Sequence, residues 1–102
     1  MSAKREIKIE GNPYPVRVTM GALVRFHQMY GVDINTVSEI NVEYMCAWYF
    51  CCIQGACNAD KVEFPYDFMT FCDLLTSELC DRIAKLLGEA DKEEKKTEQK
   101  SE

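Results

Sequence analysis

The stretch from Val42 to Cys57, "VEYMCAWYFCCIQGAC", contains only two strongly polar residues, Glu43 and Gln54. The rest of the fold has to accommodate it. A helix that is apolar nearly all round is either covered on several sides or serves as a docking surface. The aromatics, Val42 and Ile53 also tolerate a strand. Length favours the helix, Asn41 suits its N-cap, and Gly55 is expected to loosen its last turn.

This segment also holds Cys46, Cys51, Cys52 and Cys57, four of the six cysteines. Zinc needs four convergent ligands, commonly from two C-x-x-C hooks. Here the spacing is C-x4-C-C-x4-C, with no C-x-x-C. At about 100° and 1.5 Å per helical residue, Cys46 and Cys57 share a face but lie about 16 Å apart, while Cys51 and Cys52 point elsewhere. The single histidine, His27, is on another element. No metal site is therefore expected. A Cys51–Cys52 bridge would be a strained vicinal disulfide, and a thioredoxin-like centre lacks its motif. A bridge between helices through Cys72 or Cys80 stays geometrically open. The main expectation is that the thiols act as small apolar residues that let helices approach one another.

Upstream, "REIKIEGNPYPVRVTM" alternates. Ile7 and Ile9 oppose Glu6, Lys8 and Glu10, and Tyr14, Val16, Val18 and Met20 oppose Arg17 and Thr19. With "GNP" as the link, this reads as a β-hairpin with one apolar face. A lone hairpin is marginal in water, so that face must lie on something else. Ala22, Leu23, Phe26, Met29 and Tyr30 then recur at helical spacing, with Thr19 as cap and Gly31 as stop, giving a helix over residues 20–30. Ile34 and Val37 are the expected inward anchors of the next connection, with a turn of helix near residues 36–40. Pro65 and the cap Asp67 start a helix whose face carries Phe68, Phe71, Cys72 and Leu75. A last helix has the stripe Leu79, Ile83, Leu86, Leu87 and Ala90. Residues 91–102 have no large apolar side chain and are expected to form a disordered, charged tail.

The expected fold is α+β. One globular domain covers residues 1–90, with a β-hairpin over 5–20 and about four helices packed over 20–90. Length agrees with a single domain: 102 residues, 47% of them apolar. The net charge of −5, from 12 Lys and Arg against 17 Asp and Glu, argues against a nucleic-acid binder. The opening "SAKREIKIEG" has charges where a secretory signal needs an apolar run, and the longest apolar run is too short to span a bilayer. A cytoplasmic protein with no membrane partner is expected.

No phosphate loop, dinucleotide fingerprint or H-E-x-x-H motif occurs, and His27 lacks an obvious triad partner. No catalytic residue and no cofactor are assigned. Aromatics make up 11% of the chain. Tyr44, Trp48, Tyr49, Phe50 and Tyr66 are the candidate contacts to a protein partner, because Tyr and Trp at a surface are favoured interface anchors.

The order of elements adds a resemblance. Tyr14 to Thr19, a "Y-x-V-R-x-T" strand, is followed by Ala22, Leu23 and Phe26 of an "A-L-x-x-F" helix that ends at Gly31. This resembles the opening of small phage tail assembly chaperones, best over residues 5–31. The resemblance implies a non-enzymatic protein of a phage or prophage that holds the long tape measure protein until the tail tube forms, with homo-oligomers as a further expectation. The cysteines are outside what it explains. The competing expectations are a cysteine-based metal or redox sensor and a small regulatory adaptor.

Overall fold

The computed structural model describes residues 5–88. Strand β1 (Glu6–Ile9) pairs antiparallel with β2 (Asn12–Pro15), with Ile7 opposite Tyr14 and Ile9 opposite Asn12. The turn is shorter than "GNP" suggests. Glu10 and Gly11 form it, with φ of 54° and 84°. Two central residues at positive φ are the signature of a type I′ turn, whose twist matches that of the strands it joins. Asn12 and Pro13 belong to β2.

The ladder also fixes the outer edges. The Val16 amide donates to the Arg5 carbonyl at 2.8 Å, so residues 5 and 16 form a bonded pair. Bonded and non-bonded pairs alternate along an antiparallel ladder. Pro13 and Pro15, opposite Lys8 and Glu6, therefore fall at non-bonded positions. There their missing N–H groups cost the hairpin nothing, and β2 has no outward donors at those two residues.

Helix α1 (Met20–Tyr30) begins at Thr19, whose Oγ1 accepts from the Ala22 amide at 3.0 Å, and stops at Gly31 in the left-handed region. A short 3-10 turn (Ile34–Thr36) comes a few residues earlier than expected and buries Ile34. Helix α2 (Val42–Asp60) is capped by Asn41, whose side chain accepts from the Tyr44 amide. Helix α3 (Phe68–Leu74) is capped by Asp67 in the same manner, through the Thr70 amide. Helix α4 occupies residues 77–88, and Thr76 Oγ1 accepts from the Leu79 amide at its start. Ala90 and the expected tail, residues 91–102, lie outside the described residues.

Two apolar clusters meet on α2. On one side Tyr49, Phe50, Ile53 and Cys57 pack with Ile7, Ile9, Tyr14 and Val16 of the hairpin, Phe71 of α3 and Ile83 of α4. On the other side Ala47, Cys51 and Cys52 pack with Ala22 and Phe26 of α1 and with Ile34. At 100° per residue these two sets occupy opposite faces of α2. The helix is apolar all round because the hairpin, α3 and α4 cover one face and α1 the other. Gly55 serves that packing rather than a loosened turn: a Cβ there would meet Thr19 and Ala22 of α1.

One expected alternation breaks. Val18 and Met20 do not share the buried face of Tyr14 and Val16; they are 48% and 79% exposed. Strand β2 ends at Pro15, and the chain turns away after Val16 to begin α1. Met20 is the first residue of that helix, as expected, but the hairpin ends short of residue 20.

Candidate partner-binding face

The aromatics of α1 and α2 form a continuous stack. Phe26 lies 5.5 Å from Tyr44 and 6.1 Å from Trp48 between ring centroids, and Tyr30 lies 4.7 Å from Tyr44. Tyr44 and Trp48 are half-buried at the seam of the two helices. Tyr30 donates to Glu43 Oε2 at 3.1 Å, and burial followed by that bond pushes its hydroxyl up to about 12. It therefore stays a protonated donor at neutral pH.

Tyr49 and Phe50 are each only 8% exposed and belong to the core. Phe50 packs against Phe64, Phe68 and Phe71 with centroids 5.5–5.9 Å away. Tyr66 is half-buried, stacks edge-on against Tyr14 and Phe64, and donates to Glu10 Oε1 at 2.9 Å across to the hairpin turn. Of the five aromatics singled out in the sequence, the structure groups Tyr44 and Trp48 at one seam. Tyr49 and Phe50 sit inside, and Tyr66 lies on the hairpin side.

Apolar side chains that reach water stand elsewhere: Ile40, Val42 and Met69 off α1, and a pair on α1 itself. On α1, Ala22 and Phe26 face inward, while Met20 and Val24, one turn apart, face out at 79% and 54% exposure. Val18, before the helix, is exposed as well. A shallow groove of about 200 Å³ continues the stripe past Leu23, Val24 and His27 to Asp33. His27 Nδ1 lies 3.9 Å from Asp33 Oδ1 at its rim. Sequence reasoning missed this stripe. Its signal was the i,i+4 spacing of Met20 and Val24 on the side of the helix away from Ala22 and Phe26.

The thiols divide into two groups. Cys51, Cys52 and Cys57 are buried, and Cys46, Cys72 and Cys80 are half-buried; all are free. Burial pushes Cys51 and Cys57 up to about 11, and Cys52 further. A thiol at about 11 is thiolate in only about one molecule in ten thousand at pH 7, so these sulfurs are poor nucleophiles. Cys46 of α2, Cys72 of α3 and Cys80 of α4 are neighbours. Burial first, then the adjoining Cys46 sulfur, pushes Cys72 up to about 11. Among the described residues, no three of His, Cys, Asp and Glu gather in a way that could hold a metal ion. No helix of the described residues is long and apolar enough to cross a membrane.

No protein-family model, no curated protein and no solved structure matches the chain.

Proposed function

We propose that this chain is a non-enzymatic binding protein, specifically a tail assembly chaperone of a phage or prophage that holds a long helical tape measure protein. The observation that carries the reading is the uncovered apolar pair on α1, Met20 and Val24, with exposed Val18 just before the helix. A client helix laying its own apolar face there would bury side chains that otherwise stand in water, and Met adapts well to varied partners. The order of hairpin and capped helix over residues 5–31 supports the same reading through its resemblance to that family. The raised, buried thiols fit packing better than sensing.

The test is co-expression of the full chain with a long helical tape measure protein. The expected result is a higher soluble yield of the client and elution of the two together. Met20→Asp combined with Val24→Asp should abolish both effects while the chain stays folded. An insoluble client with no complex, or a complex indifferent to the α1 substitutions, removes the reading.

A further inference from the structure

The hairpin has two outer edges, and the described residues add no third strand to either. The edge of β2 is blunted by Pro13 and Pro15, which offer no N–H, and β2 lies against α2. The edge of β1 is different. Ladder alternation turns the N–H and C=O groups of Glu6 and Lys8 outward, away from β2. A groove of about 410 Å³ opens at the turn end of this edge, beside Lys8. Three consecutive residues, Lys8, Ile9 and Glu10, line one wall, and Leu74, Leu79 and Arg82 stand on the other. At that end the α3–α4 junction stands off the edge, while Glu6 and Ile7 lie outside the groove.

We propose that β1 is the strand through which two copies of this chain associate, antiparallel about Ile7, to form one continuous sheet. The charges on β1 select this occupant and this register. Centring the pair on Ile7 sets Glu6 opposite Lys8 of the second copy, and Lys8 opposite Glu6, on the exposed face. These are also the residues with outward amides and carbonyls, so each symmetric pair exchanges both bonds of an antiparallel ladder. Ile7 meets Ile7 of the second copy near the axis. Centring on Lys8 instead would set Lys8 against Lys8 and Glu6 against Glu10, and a parallel pair would align like with like. Opposite charges across strands stabilise pairing, and like charges oppose it. Charged edge residues usually protect a strand from indiscriminate pairing; here the same charges leave one favourable self-pairing.

The test is the mass of the full chain by sedimentation equilibrium across a wide concentration range, with circular dichroism as the check on folding. A dimer is expected. Lys8→Glu should weaken it by about tenfold, since both symmetric pairs become repulsive. Adding Glu6→Lys to Lys8→Glu regenerates opposite charges and should restore the affinity. Lys8→Pro removes an outward donor at a position equivalent to Pro13 and Pro15, so the hairpin should survive and the dimer weaken. A chain that is monomeric throughout, one that instead takes up only an extended peptide of another protein, or a dimer unmoved by both Lys8→Glu and Lys8→Pro, overturns the proposal.

Discussion

Gly55 of α2 rests directly on Thr19, the cap of α1: a Cβ at position 55 would lie 2.7 Å from Thr19 Oγ1 and 3.3 Å from the Ala22 amide nitrogen. Thr19 Oγ1 is already held by its bond from that amide at 3.0 Å. Gly55→Ala gains about 1 kcal/mol of helix propensity. Against this it disturbs a cap worth about 1 kcal/mol and overpacks a tight seam at about 1–3 kcal/mol. A net loss of about 1–3 kcal/mol is expected in urea denaturation. Thr19→Gly removes the obstructing oxygen and still caps acceptably. In that background Gly55→Ala should cost much less, a coupling that a double-mutant cycle reads directly. Strictly additive costs would mean that the two positions do not touch.

That contact also shows why parts of the fold were legible and parts were not. Thr19, Gly31, Asn41 and Asp67 announce helix ends through local chemistry, and each acts in the structure at the position it occupies in the sequence. The hairpin and the apolar sides of α1, α3 and α4 follow from periodicity, a local signal. Gly55 was misread because its role depends on a residue 36 positions away. The facing of Val18 and Met20 was misread because alternation continues in the sequence after the strand has ended. The aromatics were the hardest to sort: periodicity cannot rank residues on a helix that is apolar all round. Only the second layer, hairpin on one side and α1 on the other, decides that Phe50 is interior and that Tyr44 reaches the seam.

Core and face should separate cleanly under mutation. Phe50→Ala removes a ring that packs against Phe64, Phe68 and Phe71, and should cost about 3–5 kcal/mol. Met20→Ser and Val24→Ser change side chains that already stand in water, and should stay within about 0.5 kcal/mol. The same two serine variants should lose client binding. Thermal denaturation paired with a pull-down of the client reads both quantities. A large stability loss at Met20 would mean that the α1 stripe is part of the fold and not an open surface.

The thiols should also divide by position. A bulky water-soluble disulfide reagent reaches Cys46, Cys72 and Cys80 in the native chain, slowly for the raised Cys72 thiol. It reaches Cys51, Cys52 and Cys57 only when the fold opens. Thiol counting should therefore plateau at half of the six until denaturant is added. Cys52→Ser places a hydroxyl where the sulfur is fully buried and should cost about 1–3 kcal/mol. Rapid native labelling of Cys52, or an unchanged melting temperature in the serine variant, would count against sulfur as packing material there.

Acid sensitivity should trace in part to one exposed clamp. Arg17, just past the hairpin, donates through both terminal nitrogens to Asp60 at the end of α2, at 3.0 and 2.9 Å. Those bonds, and then the guanidinium charge, hold the Asp60 carboxyl below its ordinary 3.8. A carboxyl depressed in the folded state adds stability that is fully present above its unfolded value and disappears as pH falls through the folded one. Asp67, held down by the Thr70 amide, acts in the same direction. The melting temperature should therefore drop below about pH 4, and Asp60→Asn should flatten that drop. Both partners are 41% exposed, so salt should screen the clamp at neutral pH: the gap between wild type and Asp60→Asn should narrow as ionic strength rises towards 1 M. Asp67→Asn keeps a capping oxygen for Thr70, and its effect should depend far less on salt. Identical acid profiles for wild type and Asp60→Asn would show that the Arg17 clamp contributes nothing that protonation can remove.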